Sequence, residues 1–368
     1  MKFTKYLGLC ALLIGVSGYS QAAAVSGPFF AVSTSQEYEL PSGAPADAYL
    51  WNRNYPGEAS YDAGFAAYYC TDDAIQQTCT HQSNGSTISM VLTEKRSRMK
   101  HTLKVKAYTE GAHYNPSTDT LTECGPKTAI NYYSSWMCGG MRSNTRLLTV
   151  YIEKSEMNSL PIGGVWEGRL KLDYDGVNDA TYTADITLKG KATGKQDIYF
   201  PEFNGANPLV QLDLHPTGSV TGNSFAEDVT TLDMCLYDGF NSNSDSMTLS
   251  FSDEGKGGAS RKSGYFSIYN TASGGTAEAE RIDYRLEMFD PHSKGWMSVK
   301  NSAAFTLSSG VNGTDQIRPV RLPSITYPVL CAPAPLRLIV DKFRVTDKTA
   351  GYYKGTLHVE FSPSLNSI

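Results

Sequence analysis

The sequence predicts an all-β protein built as two β-sandwiches in tandem, and three observations carry that prediction. Apolar residues recur almost everywhere with a period of two, which puts one face of each strand in a core and the other in solvent. No long segment shows the 3.6-residue period of an amphipathic helix. About 344 residues remain once an N-terminal leader is set aside, large for a single core, so two domains are expected.

The leader comes first. Lys2 and Lys5 give a positive start, Leu7 to Val16 a short apolar run, and Ala22, Ala23 and Ala24 small residues for cleavage. Residues 1–24 therefore read as a signal peptide and the chain as exported. The run is shorter than the roughly 20 residues a membrane helix needs. Cys10 lies inside it behind bulky Leu9, a poor context for lipid attachment. Removing the leader takes away Cys10 and two lysines and moves the formal charge from −5 to −7. This mild acidity argues against nucleic acid as a partner.

Six cysteines remain, and an even number in an exported chain favours disulfides. Their spacing suggests local pairs Cys70–Cys79 and Cys124–Cys138 and a long-range pair Cys235–Cys331, one choice among many connectivities. Zinc is the rival use. No Cys-x-x-Cys pair or histidine doublet has ligand spacing, so no metal and no cofactor are expected.

The first domain shows five alternating sets: Ile88, Met90, Leu92; Leu103, Val105, Ala107; Leu148, Val150, Ile152; Leu170, Leu172, Tyr174; and Tyr182, Ala184, Ile186, Leu188. Such runs between Gly, Asn, Ser and Pro clusters predict antiparallel sheets with one buried face. Asp72 to Thr78 is short enough for one helical turn inside the Cys70–Cys79 loop. The boundary is placed at Gly194 to Pro208, where Gly194, Pro201, Gly205, Asn207 and Pro208 gather. Pro201 should end a short strand, Asp197-Ile198-Tyr199-Phe200. The division is thus 25–200 for the first domain, 201–206 for a linker and 207–368 for the second.

The second domain alternates at Met247, Leu249, Phe251 and at Leu336, Leu338, Val340. Its last strand, Gly355 to Phe361, alternates Leu357, Val359 and Phe361. Seven residues follow, too few for another full strand. That strand is therefore expected at a sheet edge, open to a strand from another chain.

Chemistry is sparse. The histidines at 81, 101, 113, 215, 292 and 358 are scattered, and there is no HExxH, GxSxG or Walker loop. Asp72 and Asp73 are adjacent and would face opposite ways on a strand. The expectation is a protein that is not an enzyme. An aromatic content of 11% and disulfide-bound loops keep an exported carbohydrate-active enzyme as the alternative. The basic run Lys95 to His101, continued by Lys104 and Lys106, reads as the solvated face of an edge strand, with an anion-binding patch as the other reading. Tyr132, Tyr133 and Trp136 lie in the Cys124–Cys138 loop, where rings can stack on sugars at little entropic cost. Trp136 either joins them or packs inward over its own disulfide. Trp166 is expected in the core, and Tyr68 and Tyr69 should send one ring in and one out.

Specific strings carry a resemblance. Thr93 to Tyr108, Leu160 to Leu172, Leu232 to Phe251, Val329 to Leu338 and Ala350 to Ser364 resemble stretches of the tip adhesins of class 5 enterobacterial fimbriae. That family includes the minor tip subunit of colonization factor antigen I fimbriae and the cable-pilus initiator protein. The resemblance spans nearly the whole mature chain and is poorest from Val25 to Ser60. It implies two immunoglobulin-like domains, an adhesin domain that contacts the host and a pilin domain lacking its final strand. A periplasmic chaperone would fill the gap during export through the periplasm and the outer-membrane usher, and the N-terminal donor strand of the major pilin would replace it. Leu357, Val359 and Phe361 would border the donor groove. The protein would sit at the fimbrial tip on the cell surface, initiate assembly and bind a host glycan or glycoprotein; an assembly initiator without receptor binding is the second reading.

One departure matters. Relatives use an arginine before the first cysteine and two successive arginines in a later loop. Here the first region is Tyr61-Asp62-Ala63-Gly64, and the later loop runs from Asp173 to Asp179 and is acidic. An acidic loop repels carboxylated sugars, so a different receptor or surface is expected. The candidate receptor residues are Tyr132, Tyr133, Trp136, Arg142, Asp175 and Asn178, and Arg53, Arg142 and Arg146 are candidates for a displaced basic site.

Overall fold

The computed structural model describes residues 27–70, 77–192, 195–214, 224–241, 244–256, 261–290, 293–308 and 317–364. The expected signal peptide and nearly all of the turn expected at Asp72 to Thr78 lie outside the described residues.

In the first sandwich, Gly164–Asp175 pairs along its length with Ala180–Lys191. On its other side it changes partner. Trp166 faces Glu94 of Gly85–Glu94, whereas Leu172 faces Cys70 of Ala67–Cys70. Hydrogen bonding is continuous through this strand, and the switch is the seam between the two layers, or sheets, of the sandwich. One continues through Ala180–Lys191 to Ala31–Glu39, which pairs with it in parallel. The other runs from Gly85–Glu94 through Lys100–Asn115 and Thr145–Ile152 to Ala48–Asn54. The five alternating sets read from the sequence are all buried between the sheets. Trp166 is buried there too, Tyr68 is fully enclosed, and Tyr69 points out.

Pairing also fixes the two poles. Val165 and Glu94 lie near Lys189 and Lys191, where the chain leaves for the second sandwich. Asp175 opposite Ala67, Ala180 opposite Tyr174 and Thr145 opposite Ala112 mark the distal pole. Lys100–Asn115 has neighbours on both sides, so the strand carrying Lys104 and Lys106 is interior rather than an edge. Its lysine-bearing face is nonetheless the solvent face, because Leu103 and Val105 fill the opposite one.

The second sandwich has one sheet of Phe225–Leu232, Leu336–Arg344, Arg281–Asp290, Phe266–Asn270 and Tyr353–Lys354, with Gly295–Val299 alongside. Facing it are Phe305–Ser308, Ser246–Ser252 and His358–Pro363. Leu249, Phe251, Leu336 and Val340 lie in the core between them.

A small sheet forms the junction. Asp197–Tyr199 pairs with Cys235–Tyr237, which pairs with Val329–Pro333 and through it with Arg318–Val320. The short strand before Pro201 is therefore hydrogen-bonded to strands of the second sandwich. A 3-10 turn, Pro201–Phe203, follows it directly. All three expected disulfides are formed: Cys70–Cys79, Cys124–Cys138 and Cys235–Cys331.

Candidate functional site

The distal pole is built from loops held by one buried cation. Arg146 sits on Thr145–Ile152 with no exposed surface. Its Nε donates to the Gly64 carbonyl at 3.2 Å, and its Nη1 to the hydroxyls of Thr109 and Thr128 at 3.4 and 3.3 Å. Its Nη2 donates to the Ser134 carbonyl. All four acceptors are neutral. Burial pulls the guanidinium down to about 10. One side chain thus ties the loop carrying Tyr61 and Phe65 to the loop carrying Tyr132 and Tyr133. Gly64 itself is pressed against the Ser143 carbonyl, so no side chain fits there.

Three rings line up across the clamped loops. Tyr61 packs on Phe65 at 5.2 Å, and Phe65 on Tyr133 at 5.5 Å. Tyr61 and Tyr133 keep 61% and 63% of their surface exposed, and Met137 and Met141 are exposed nearby in sequence. Tyr132 stacks on Trp136 at 5.8 Å with planes 18° apart. Trp136 lies flat against backbone, because a Cβ on Gly111 or Gly125 would meet its ring at 2.5 or 2.6 Å. Trp136 therefore packs inward beside the Cys124–Cys138 bridge and supports Tyr132. Its backbone is held in turn by Ser143, whose amide donates to the Trp136 carbonyl at 2.7 Å and whose hydroxyl accepts the Trp136 amide at 2.9 Å.

The acidic loop belongs to the same pole. The Glu58 carboxylate accepts the amides of Val177 and Asn178 at 3.0 and 2.7 Å and the Tyr174 hydroxyl at 3.1 Å. Asp175 and Asn178 are exposed. Glu58 and Tyr61 share one loop, which links the acidic turn to the aromatic row. All six candidate receptor residues therefore lie at this pole, in two groups on either side of the 55–65 loop. Arg142 is exposed, donates to the Ser135 hydroxyl at 3.0 Å and offers its carbonyl to His113.

The displaced basic site does not form. Arg53 pairs with Glu110 at 3.6 Å and with Glu123. Arg146 is buried, Arg53 is half-buried, and only Arg142 of the three is exposed. Sequence reasoning missed Tyr61, Phe65, Glu58 and the clamping role of Arg146. Tyr61 stands in the Tyr-Asp-Ala-Gly string, whose only signal is its missing arginine.

A second candidate region lies at the other end of the molecule. Among the described residues, His358–Pro363 pairs with Ser246–Ser252 on one edge only. Leu357, Val359 and Phe361 pack against the second core yet remain half-exposed. Val210, Leu212 and Leu214 alternate with exposed residues and pack on the same core, half-covered in the same way. Among the described residues, 209–214 makes no strand pairing. The core of the second sandwich is thus bordered by apolar side chains that it does not fully enclose.

Comparison with known proteins follows this division. Residues 20–193 match the family model for the first domain of the CFA/I fimbrial protein CfaE, and residues 196–365 the model for its second domain. CfaE of Escherichia coli is 31% identical over 289 residues, 76% of this chain and 72% of that protein. The crystal structure of CfaE, the adhesive subunit of CFA/I fimbria of enterotoxigenic Escherichia coli, superposes with a TM-score of 0.68 at 24% identity, covering 92% of this chain and 94% of that one. A chaperone–tip adhesin complex of CFA/I fimbriae biogenesis gives a TM-score of 0.54 at 23% identity over 92% and 97% of the two chains.

Proposed function

The chain belongs to the CfaE family of CFA/I fimbrial proteins, and from that premise we propose how its two halves divide the work of a fimbrial tip adhesin exported through the periplasm to the cell surface. The second sandwich is the assembly module. Its half-covered border, Leu357, Val359 and Phe361 together with Val210, Leu212 and Leu214, is the feature that carries this reading. A strand laid there would use the backbone edge of His358–Pro363 that no described strand pairs and cover the apolar residues with alternating side chains. A periplasmic chaperone supplies that strand during export, and the N-terminal donor strand of the major pilin supplies it in the fibre after passage through the outer-membrane usher. A subunit that accepts a strand and caps the fibre initiates assembly.

The first sandwich is the receptor-binding module, working through its distal pole on a host cell-surface glycan or glycoprotein. The pole lies away from the junction sheet, and its rings are clamped in place rather than buried. A binding protein needs no catalytic constellation, and turnover of glycans by the folded chain would contradict this reading. Loss of the relatives' arginines favours a second reading, an assembly initiator without receptor binding.

The test is donor-strand completion. The chain fused at its C-terminus to the N-terminal segment of its major pilin should unfold at higher urea than the unfused chain, because any strand that binds only the folded state stabilises it. Equal midpoints for the two would remove the assembly module. Deleting the subunit should abolish fimbriae under both readings, whereas cell binding by the fused protein separates them.

A further inference from the structure

We propose that the Tyr61–Phe65–Tyr133 row is a stacking platform for the apolar face of an uncharged pyranose, an assignment that rests on reading the distal pole as the receptor-binding end. Three observations point to this ligand class.

The first is exposure without mobility. Tyr61 and Tyr133 present more than half their surface to solvent while Phe65 between them is half-buried. Arg146 holds both supporting loops through the Gly64 and Ser134 carbonyls. Tyrosine has few rotors, and rings fixed in advance lose little entropy on binding. The ring faces offer C–H contacts that suit the apolar side of a sugar.

The second is charge. Asp62, Asp119, Asp175 and Asp179 are exposed around this pole. Against them, Arg53 is committed to Glu110 and Glu123, Arg146 lies beneath the surface, and Arg142 alone of the three is exposed, one cation against these four carboxylates. A carboxylated or sulfated sugar would meet a field of its own sign. An uncharged sugar meets none, and its hydroxyls can donate to carboxylates such as Asp62, next to Tyr61.

The third is the rim. An unbroken apolar patch would suit a protein surface. Here the two outer rings, Tyr61 and Tyr133, carry hydroxyls, and the 55–65 loop that bears Tyr61 also bears exposed Asp62 and holds exposed Asn178 through Glu58, a mixture that suits a polyhydroxylated ring.

The donor-strand-fused full chain should be applied to an array of immobilised uncharged and sialylated glycans, and to host cells with and without sialidase treatment. The expected result is saturable binding to uncharged glycans that sialidase does not reduce. Tyr61→Ala and Tyr133→Ala should each weaken it roughly tenfold, the scale of one lost ring contact, while Tyr133→Phe keeps it. Both positions are exposed, so urea midpoints close to the parent's confirm that the variants fold. Sialidase-sensitive binding overturns the proposal. Binding that survives the double Tyr61→Ala, Tyr133→Ala change places the site elsewhere and overturns the platform while the adhesin reading stands. Binding that persists on deglycosylated host protein makes the occupant a protein and also overturns it. Failure of the folded parent to bind any cell or glycan sinks the receptor-binding reading itself.

Discussion

At the scale of single residues, Arg146 shows two opposing effects, and their balance can be measured. Burial lowers its affinity for the proton, so the charge by itself disfavours the folded state. Its side chain also satisfies two carbonyls and two hydroxyls, and a buried acceptor left unpaired costs about 1–3 kcal/mol. Arg146→Leu removes the charge penalty and orphans the Gly64 and Ser134 carbonyls, while the Thr109 and Thr128 hydroxyls keep each other and the Ala129 and Thr109 carbonyls as partners. Ser134 is only half-buried and can recover water, whereas Gly64 is buried and cannot readily do so. The bonds should win, with a net loss of about 2 kcal/mol in urea unfolding. A stabilised variant would mean that charge burial dominates and that the clamp is not what holds the loops. None of this is legible in the sequence. Arg146 stands there as a polar interruption before the apolar set Leu148, Val150, Ile152, and only the loops folding over it bury it.

At the scale of elements, the strands were legible because a two-residue period is written directly into side-chain type. The sets from Ile88 to Leu188 name the inner face of the first sandwich without any pairing information. Pairing itself was not legible. Nothing in Gly164–Asp175 signals that it changes partner midway. The mostly polar Ala31–Glu39 carries little apolar pattern, yet it completes a sheet as a parallel edge. The Trp136 loop shows the same limit. Its two readings differ only in which way one ring turns, and the deciding signal is two glycines on other strands. Gly111 sits opposite Cys124 and leaves room for the indole. Gly111→Ala should push the ring off its seat, costing about 1–3 kcal/mol as an overpacked site and tilting Tyr132 with it. Trp136 fluorescence should shift toward that of a solvated indole. An unchanged spectrum with unchanged stability would show that the seat is not tight.

At the scale of the whole molecule, the two sandwiches share more than a covalent link. Leu330 lies on Val329–Pro333, a strand of the junction sheet, yet it is fully buried in a core whose other buried residues all belong to the first sandwich. Its neighbour Cys331 is bonded to Cys235, and its own amide donates to the Asn241 side chain at 2.7 Å. Asn241 in turn crowds Gly163 of the first sandwich, where a side chain would collide with it. Ala192, Tyr237, Leu322 and Val329 close a smaller apolar cluster around the same joint. A knob anchored by a disulfide on one module and buried in the core of the other couples their unfolding. Truncating a buried leucine removes transfer energy and leaves a cavity, typically about 2–5 kcal/mol. In Leu330→Ala that loss falls on the coupling, since neither module's own sheet pairing uses the side chain. Calorimetry of the donor-strand-fused chain should then show one transition for the parent and two for the variant, the lower one belonging to the first sandwich. A single, unshifted transition in the variant would mean that the modules are joined by the backbone sheet of Asp197–Tyr199 and Cys235–Tyr237 alone.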